Sequence, residues 1–340
     1  MDLILAILIF SMDVQRFNHH QQALLHEALY VTYGDYSIED WIPCTGGTAH
    51  THAFKTRVND RFEVIARWID PQRTHTLRQQ ERVCTQRAGD MDIGPSVLYH
   101  DAEDHLMLIE CLDGTPLTLE ILHTPSQMIA LAHQLHIWHA SAQHALRPVP
   151  NLQSRIQHLL SQLKHPDQLC QPADQLLAYA HHHQQHLDEH PQLQPCHMDP
   201  NPANVIQCTD GQLKLIDWSE SGLGHPYIDI AMIAQYLPRS LHQHWLNLMT
   251  GHQIKPEHLI QFKAANQLLV IQCHIWALHQ AELLLDTTAP ARVETPLDHP
   301  EGLLKLQKRW LDGAFNTQDP REYLALSAHL ARNIDLTSFK

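Results

Sequence analysis

The chain has 340 residues and is 44% hydrophobic, which is enough apolar material for more than one compact core, so we expect two lobes or domains. Its formal net charge of −14 at pH 7 argues against a nucleic-acid partner and favours a cationic ligand. Seven widely spaced cysteines without a C-x-x-C pair indicate neither a disulfide framework nor a zinc site, and they fit a reducing cytoplasm.

The apolar run Leu3–Phe10 near the N-terminus is eight residues long, whereas a helix needs about 20 apolar residues to span a bilayer. The run also lacks the basic flank and the small-residue cleavage site of a secretory signal. We therefore expect no membrane partner. Residues 1–11 are interpreted as an uncertain extension, which either packs as an added turn of helix or strand or precedes a native start at Met12.

Three short runs of β-branched and aromatic residues predict strands in the first part of the chain: HAFKTRV, FEVIARW and LMLIE. Between the second and the third run, the segment Thr74–Gly89 predicts a helix with Gly89 as the residue that ends it. We therefore predict that residues 12–112 form a mainly β N-terminal lobe with one helix.

Further along the chain the pattern becomes that of long helices. The segment SQMIALAHQLHIWHASA places Met128, Leu131, Leu135 and Trp138 on one stripe, and FKAANQLLVIQCHIWALHQAELLL predicts a long, largely buried helix. Residues 113–340 are therefore predicted to form a larger, mainly α C-terminal lobe.

A short β segment, NVIQCTDGQLKLID, is embedded in this helical region and predicts a hairpin around Asp210-Gly211. The hairpin would bring Asn204 and Asp217 to the same end of two paired strands. Amide and carboxylate oxygens are ligands that Mg²⁺ accepts, so this end is a candidate metal site. Asp199 lies in the proline-containing loop before the hairpin, where it could accept the proton of an attacking hydroxyl. Taken singly, each of these residues would also suit a turn or a cap.

The 30 histidines invite a metal interpretation, above all for His182 and His186, which have helical i,i+4 spacing in AHHHQQHLDEH. Histidine recurs along the whole chain, and two histidines without a third ligand make an incomplete metal shell. A polar helix face is therefore the favoured interpretation.

Several spaced motifs agree in order with one known group of proteins. H-x-D-x-x-x-x-N is present as His197, Asp199 and Asn204, IDW as Ile216–Trp218, and G-x-P-x-x-D-I-A as Gly224–Ala231. The segment resembles the catalytic core of the aminoglycoside phosphotransferase and choline/thiamine kinase group, relatives of protein kinases. The resemblance implies an α+β, bilobal, protein-kinase-like fold, with a small mainly β N-terminal lobe and a larger mainly α C-terminal lobe.

The resemblance also implies a nucleotide site in the first lobe. Gly46 and Gly47 resemble the glycine-containing loop that approaches the phosphates, and VIAR resembles the V-A-I-K strand, with Arg67 in place of the lysine. Arginine keeps the charge and can bind phosphate in a bidentate manner. Glu81 is the implied partner of Arg67, and backbone groups from Glu110 to Leu112 are implied to bond the adenine edge.

The implied activity is ATP- and Mg²⁺-dependent transfer of the γ-phosphoryl group to a hydroxyl of a small molecule. Asn204 and Asp217 would hold Mg²⁺ and Asp199 would orient and deprotonate the acceptor. By the same resemblance, His197 and Asp229 support the catalytic loop. A catalytically silent, kinase-like protein that binds nucleotide and regulates a partner is the alternative, and Arg67 in place of lysine is the motif that favours it.

The acceptor is less well defined by the sequence. Choline and thiamine kinases usually follow the ID[WF] motif with a glutamate, whereas this chain has Ser219 and only then Glu220. Four aromatic residues of the second lobe could form a wall for a cation or simply belong to the core: Trp245, Trp276, Trp310 and Tyr323. The net negative charge favours an amine-bearing alcohol, with choline, thiamine and an aminoglycoside among the candidates.

Overall fold

The computed structural model describes residues 17–44, 52–251, 253–288 and 303–335. The chain forms two compact units. The first contains the described residues up to Thr115 together with Ile206–Ser219, and the second contains Pro116–Val205 and the described residues from Glu220 onward. The predicted change from a mainly β first region to a helical second region is confirmed. The lobe boundary at residue 112 stays a prediction, and residues 1–11 lie outside the described part of the chain.

The first unit is built on an antiparallel five-stranded sheet. Helix α1 (His19–Tyr33) begins with a capping box between Asn18 and Gln21 and packs its buried residues Leu25, Ala28 and Leu29 in the same core as the sheet. The strands are β1 (Ile42–Pro43), β2 (His52–Val58), β3 (Phe62–Trp68), β4 (Val97–His100) and β5 (Leu106–Glu110). Their order across the sheet is β1-β2-β3-β5-β4. The three strands predicted from the sequence are confirmed as β2, β3 and β5.

The predicted helix of the first unit is confirmed as α2 (His75–Asp90), with Thr74 as its N-cap. The predicted end at Gly89 is wrong by one residue, because the helix continues to Asp90 and is capped by Met91. Gly89 serves close packing instead: a Cβ added there would lie 2.7 Å from the Pro95 carbonyl oxygen.

The predicted hairpin is confirmed as β8 (Val205–Cys208) and β9 (Leu213–Leu215), which belong to a three-stranded sheet with β6 (Gly114–Pro116) in the order β6-β8-β9. Its turn is closed by hydrogen bonds from the Cys208 N–H to the Gln212 carbonyl and from the Gly211 N–H to the Cys208 carbonyl, both 2.9 Å. Gly211 has φ +88°, a left-handed conformation that glycine adopts without strain.

The second unit is helical. Its helices are α3 (Leu119–Leu122), α4 (Pro125–His139), α5 (Leu152–Gln162), α6 (Ala173–Asp188), α7 (Tyr227–Ala234), α8 (Arg239–Thr250), α9 (Pro256–Thr288), α10 (Leu303–Leu311) and α11 (Pro320–Ala331). The short strands β7 (Gln194–Cys196) and β10 (Gly222–Gly224) pair antiparallel. The predicted stripe on α4 is confirmed, because Met128, Leu131, Leu135 and Trp138 are all fully buried.

Helix α9 is the longest helix of the second unit and packs against α5, α6, α7 and α11. Its segment Pro256–Leu285 is long and apolar enough to cross a membrane by length and composition alone. More than half of the most apolar window, 56%, is buried inside the protein, as is common in a central core helix.

Candidate active site

Arg67, Glu81 and Asp217 form a connected cluster in the first unit. Arg67 Nε donates to Glu81 Oε1 at 2.7 Å, and Arg67 Nη2 donates to Asp217 Oδ1 at 2.8 Å. The Glu81 side chain is 2% exposed, whereas the Asp217 side chain is 30% exposed. One guanidinium therefore joins a buried carboxylate to one that reaches solvent, and the sequence-predicted pairing of Arg67 with Glu81 is present in the structure.

The local structure explains how these side chains meet. Residues of β3 alternate, so that Val64, Ala66 and Trp68 are buried in the core while Arg67 lies on the opposite face. Glu81 lies on the buried face of α2. Asp217 follows β9 with φ +60°, a left-handed conformation that Asp tolerates better than most residues, and this turns the chain at the end of the strand.

The charge of Arg67 is fixed by its neighbours. Burial by itself lowers the pKa of the guanidinium, but the charges of Asp217 and Glu81 and the hydrogen bonds to them outweigh burial, so the pKa is raised above its ordinary value. Arg67 is therefore a permanent cation beside the Asp217 carboxylate.

A second arginine, Arg73, also contacts this cluster and was not singled out from the sequence. Its Nη1 donates to Glu81 Oε2 at 3.2 Å, and its Nη2 donates to the Ser219 carbonyl oxygen at 2.6 Å. Each oxygen of Glu81 thus receives a hydrogen bond from a different arginine. The sequence around Arg73 does not predict this contact, because Arg73 lies in a polar turn before α2 and Ser219 is 146 residues further along the chain.

The segment that carries Asp217 is packed tightly within the first unit. The Leu215 N–H donates to the Ile93 carbonyl at 2.7 Å, and the buried Trp218 donates its indole N–H to the Leu215 carbonyl at 3.2 Å. A Cβ added to Gly94 would lie 2.9 Å from the Ala88 Cβ and 3.0 Å from the Leu215 carbonyl oxygen. Glycine at position 94 therefore permits the close approach that fixes the end of β9.

In the second unit, Asp229 at the start of α7 is the anchor of the loop that contains His197 and Asp199. Its side chain is fully buried, and its two oxygens accept the backbone N–H of His197 at 2.8 Å and of Met198 at 2.7 Å. His139 of α4 adds a contact from Nε2 to Asp229 Oδ2 at 2.9 Å. His139 was not identified from the sequence, because nothing local connects the end of α4 to α7.

His197 is fully buried and acts through its backbone in this arrangement. Its N–H binds Asp229, and its carbonyl oxygen accepts the Ser221 hydroxyl at 3.0 Å. Met198 has φ +71°, a strained conformation for a residue with a long side chain, which the two hydrogen bonds to Asp229 hold in place. The loop is thereby fixed just before Asp199.

Asp199 is held by two side-chain amides of its own loop. Asn201 Nδ2 donates to Asp199 Oδ1 at 2.9 Å, and Asn204 Nδ2 contacts the Asp199 carbonyl at 3.0 Å and Asp199 Oδ2 at 3.2 Å. Asn201 also accepts the Ala203 N–H and caps the 3₁₀ turn Pro202–Asn204. The structure therefore brings Asp199 and Asn204 together, and it adds Asn201, whose position two residues after the aspartate suits an Asx-type turn.

Tyr236 and Cys273 lie close enough to Asp199 to respond to its charge. Burial raises the pKa of the Tyr236 hydroxyl, and the charge of Asp199 raises it further. Burial and then Asp199 likewise raise the pKa of the Cys273 thiol, to about 12. Both groups are thus neutral at physiological pH.

The other predicted nucleotide-site residues are only partly described. Gly46 and Gly47 lie outside the described residues. The Glu110 N–H donates to the Ser96 carbonyl at 2.9 Å, and the Cys111 N–H donates to the Glu63 carbonyl at 3.3 Å. The N–H groups of Glu110 and Cys111 are therefore engaged within the protein, and the contact of Glu110–Leu112 with an adenine stays a prediction.

The four candidate aromatic residues do not all belong together. Trp245 is fully buried and donates its indole N–H to the Ile230 carbonyl at 2.8 Å, which makes it a core residue. Trp276, Trp310 and Tyr323 form an edge-to-face cluster in the second unit, with ring centroids 5.8 to 6.2 Å apart. Glu220, which stands one place later than the family glutamate, pairs with Arg155 at 2.9 Å.

The two histidines of the histidine-rich helix α6, His182 and His186, lie next to each other. His182 and His186 contact each other at 4.8 Å between ring centroids. Among the described residues, the group of three close ligand-type side chains is His139, Cys196 and Asp229, and the carboxylate there is already satisfied by His139 and two backbone N–H groups. The Cys196 thiol, whose pKa burial raises well above its usual value, remains protonated.

Comparison with known proteins shows the family to which the chain belongs. Residues 42–250, more than half of the chain, match the model of the phosphotransferase enzyme family. The chain therefore belongs to the phosphotransferase enzyme family, and it is an enzyme of the phosphoryl-transferring class. A search of curated protein sequences gives no match to this chain.

Solved structures share the fold at low sequence identity. A choline/ethanolamine kinase family protein from Mesorhizobium loti matches with a TM-score of 0.60 and 17% identity over 90% of this chain and 98% of that protein. Choline kinase LicA from Streptococcus pneumoniae matches with a TM-score of 0.63 and 14% identity over 92% and 99%. Spectinomycin phosphotransferase in complex with ADP and spectinomycin matches with a TM-score of 0.51 and 14% identity over 90% and 98%. The protein-kinase-like fold predicted from the sequence is thereby confirmed.

Proposed function

We propose that this protein is a small-molecule kinase that transfers the γ-phosphoryl group of ATP, in the presence of Mg²⁺, to a hydroxyl of a cationic amino alcohol. The observation that carries the proposal is the Arg67 guanidinium, which is bonded at the same time to the buried Glu81 and to the more exposed Asp217. A fixed cation beside an accessible carboxylate is the combination that a metal-bound polyphosphate requires.

The donor set of the second unit suits the same chemistry. Asn204 directs its amide nitrogen to Asp199, so its amide oxygen is the atom that it offers to a cation. We infer that this oxygen and the Asp217 carboxylate hold Mg²⁺, which prefers hard oxygen ligands and keeps water and phosphate in its other positions. When bound, Mg²⁺ would neutralise charge on the phosphates of the nucleotide.

Asp199 is the proposed catalytic residue. The amides of Asn201 and Asn204 orient its carboxylate, and the loop is fixed from behind by Asp229. A carboxylate in a fixed position can orient the acceptor hydroxyl and take its proton as the oxygen attacks. Arg67 would contribute by binding the phosphates of the nucleotide through its planar guanidinium.

The class of acceptor is inferred from the charge of the protein, the groups near Asp199 and the aromatic residues of the second unit. The net charge of −14 and the neutral groups Tyr236 and Cys273 near Asp199 suit an amine-bearing alcohol better than an acidic metabolite. In the edge-to-face cluster, Tyr323 is buried at 3% exposure, whereas Trp276 and Trp310 are partly exposed aromatic rings of the kind that bind a cation. The names of the structural neighbours, which include a choline kinase and a spectinomycin phosphotransferase, support the same class. The described cysteines are free thiols, which supports a cytoplasmic protein.

A catalytically silent, nucleotide-binding regulator is the second candidate, and the observation that favours it is Arg67 itself. The ion pair of Arg67 with Asp217 must open or share its carboxylate when a metal binds there. A silent protein would keep this ion pair, whereas an enzyme must use both groups on the nucleotide.

One experiment separates the two candidates. ADP release is measured with ATP and Mg²⁺ over choline, thiamine, aminoglycosides and sugars, for the wild type and for Asp199→Ala. The enzyme predicts turnover on at least one acceptor that falls by about 10³-fold or more in Asp199→Ala, with nucleotide affinity retained. Nucleotide binding without turnover on any acceptor would instead support the silent protein.

A further inference from the structure

We propose that Arg73 is a positioning residue for the phosphate and metal site, because it ties Glu81 to the backbone that follows Asp217. This inference rests on the proposed function, since it gives Arg73 a part in the same phosphoryl transfer. This role requires no contact of Arg73 with the nucleotide. Its effect would pass through the segment that carries Asp217.

The contacts of Arg73 connect two separate elements of the first unit. Nη1 binds Glu81 Oε2 on α2, and Nη2 binds the Ser219 carbonyl two residues after Asp217. The bond of 2.6 Å to Ser219 is among the shortest in the cluster, and Glu81 is 2% exposed, so water competes weakly with the carboxylate contact. A planar guanidinium can serve both acceptors at once, which an ammonium cannot do in the same geometry.

The contacts of Arg73 matter because Arg67, which also holds Asp217, is expected to bind the nucleotide. In the structure Arg67 shares its charge between Glu81 and Asp217. If Arg67 turns toward the phosphates of a nucleotide, the direct bond to Asp217 is weakened or lost. Arg73 would then still hold the Ser219 carbonyl and Glu81, so the segment of Asp217 keeps its position during the reaction.

The backbone of Arg73 is itself fixed. Asp70 forms a turn in which its carboxylate accepts the Gln72 N–H at 2.8 Å and its carbonyl accepts the Arg73 N–H at 3.0 Å. The Arg73 carbonyl in turn accepts Arg78 Nη1 at 2.6 Å. A side chain that starts from a fixed backbone loses little further freedom when it binds two acceptors.

The test compares Arg73→Gln and Arg73→Lys with a matched control, Arg82→Gln. Arg82 lies on α2, close in the chain to Arg73. Its side chain forms an ion pair with Asp104, with an N–O distance of 2.6 Å. The exposed fractions of the two arginine side chains are similar, 17% for Arg82 and 22% for Arg73. Hydrogen exchange of residues 215–221 is measured first, in the full-length protein without nucleotide. We expect exchange at least about fivefold faster in Arg73→Gln and unchanged in Arg82→Gln. Wild-type exchange in Arg73→Gln would overturn the proposal.

Kinetics on the acceptor found by the ADP-release screen form the second readout. Arg73→Gln is expected to lower kcat by about 10- to 100-fold and to raise the Mg²⁺ concentration needed for half activity, with the KM of the acceptor unchanged. Arg73→Lys should recover part of kcat. Equal losses in Arg73→Gln and Arg82→Gln would overturn the positioning role.

The two proposals can fail separately. A wild type without turnover on any acceptor overturns the proposed function, and the exchange measurement still decides whether Arg73 holds the Asp217 segment. An active wild type with unaltered Arg73 variants overturns only the role of Arg73.

Discussion

Asp217 of the first unit and Asp229 of the second are held by opposite physical means. Asp217 is partly exposed and pairs with a permanent cation, Arg67. Asp229 is fully buried and is bound by two backbone N–H groups and His139. In the proposed function, Asp217 exchanges its cationic partner Arg67 for a metal ion, whereas Asp229 keeps its hydrogen bonds and holds the backbone in place.

This difference matches the proposed roles, in which Asp217 holds a metal and Asp229 supports the loop. Both neighbourhoods place a residue other than glycine in the left-handed region, Asp217 at φ +60° and Met198 at φ +71°. Strain of this kind persists only where surrounding contacts impose it. In the second unit those contacts are direct hydrogen bonds to Asp229, and in the first they include the packing of Trp218 and Gly94.

The largest effect is expected from Asp229→Asn, which alters the buried carboxylate that holds the loop of His197 and Met198. The substitution removes an acceptor and turns an amide N–H toward the backbone donors of His197 and Met198. We expect the free energy of unfolding to fall by about 3 kcal/mol and activity to fall by at least about 100-fold. Denaturant unfolding and kcat measure the two effects.

Asp92→Asn is the matched control for that measurement. Asp92 is 72% exposed and pairs with Lys214, so its loss should cost less than about 1 kcal/mol. If Asp229→Asn were as mild as this control, Asp229 would not be the anchor of the loop.

A smaller effect is expected from replacing Arg67, and its size should depend on whether the new side chain keeps the positive charge. Arg67→Gln removes the charge between Glu81 and Asp217 and should lower kcat/KM for ATP by about 100-fold. Arg67→Lys keeps the charge but can bind only one carboxylate well, and we expect a loss of about 10-fold. Nucleotide affinity and kcat/KM are measured for both. Equal losses in the two variants would show that the charge at position 67 plays no part in binding phosphate.

The smallest effect concerns the pH dependence of stability in the second unit. Burial, together with the neighbouring His182 and His186, lowers the pKa of His183 to about 4, while Asp335 acts in the opposite direction. Because this folded-state pKa lies below the unfolded value, the unfolded chain binds more protons, and the free energy of unfolding falls as the pH falls from about 6.5 toward 4.

Between pH 7 and pH 5, the free energy of unfolding should therefore fall by about 1 to 2 kcal/mol less in His183→Gln than in the wild type. Thermal or denaturant unfolding across this range gives the result. His181→Gln, at an exposed position of the same helix, is the control and should keep the wild-type pH dependence. If the two variants behave alike, His183 does not titrate as its burial requires.

Much of the fold could be predicted because local patterns and tertiary structure agree. The strands His52–Val58, Phe62–Trp68 and Leu106–Glu110 and the buried stripe of α4 follow from periodicity alone. The end of α2 could not be predicted, since Gly89 is required by contact with Pro95, which lies beyond the helix. A glycine needed for packing has the same sequence signature as one needed for a cap.

The candidate site was predictable where a motif carried it and not elsewhere. The pairing of Arg67 with Glu81 and the proximity of Asp199 to Asn204 follow from ordered motifs. The contacts of Arg73 with Ser219 and of His139 with Asp229 join residues 146 and 90 positions apart. Such contacts are set by the fold and have no local signal in the sequence.

The proposed shared binding of one divalent cation by Asn204 and Asp217, together with a nucleotide, is tested most directly with a metal probe. Mn²⁺ can replace Mg²⁺ as a spectroscopic probe, since both prefer oxygen ligands. Its binding in the presence of ADP is measured by electron paramagnetic resonance for the wild type, Asn204→Ala and Asp217→Asn. The account predicts one nucleotide-dependent Mn²⁺ site, weakened at least about 10-fold by either substitution. Wild-type Mn²⁺ affinity in both variants would contradict it.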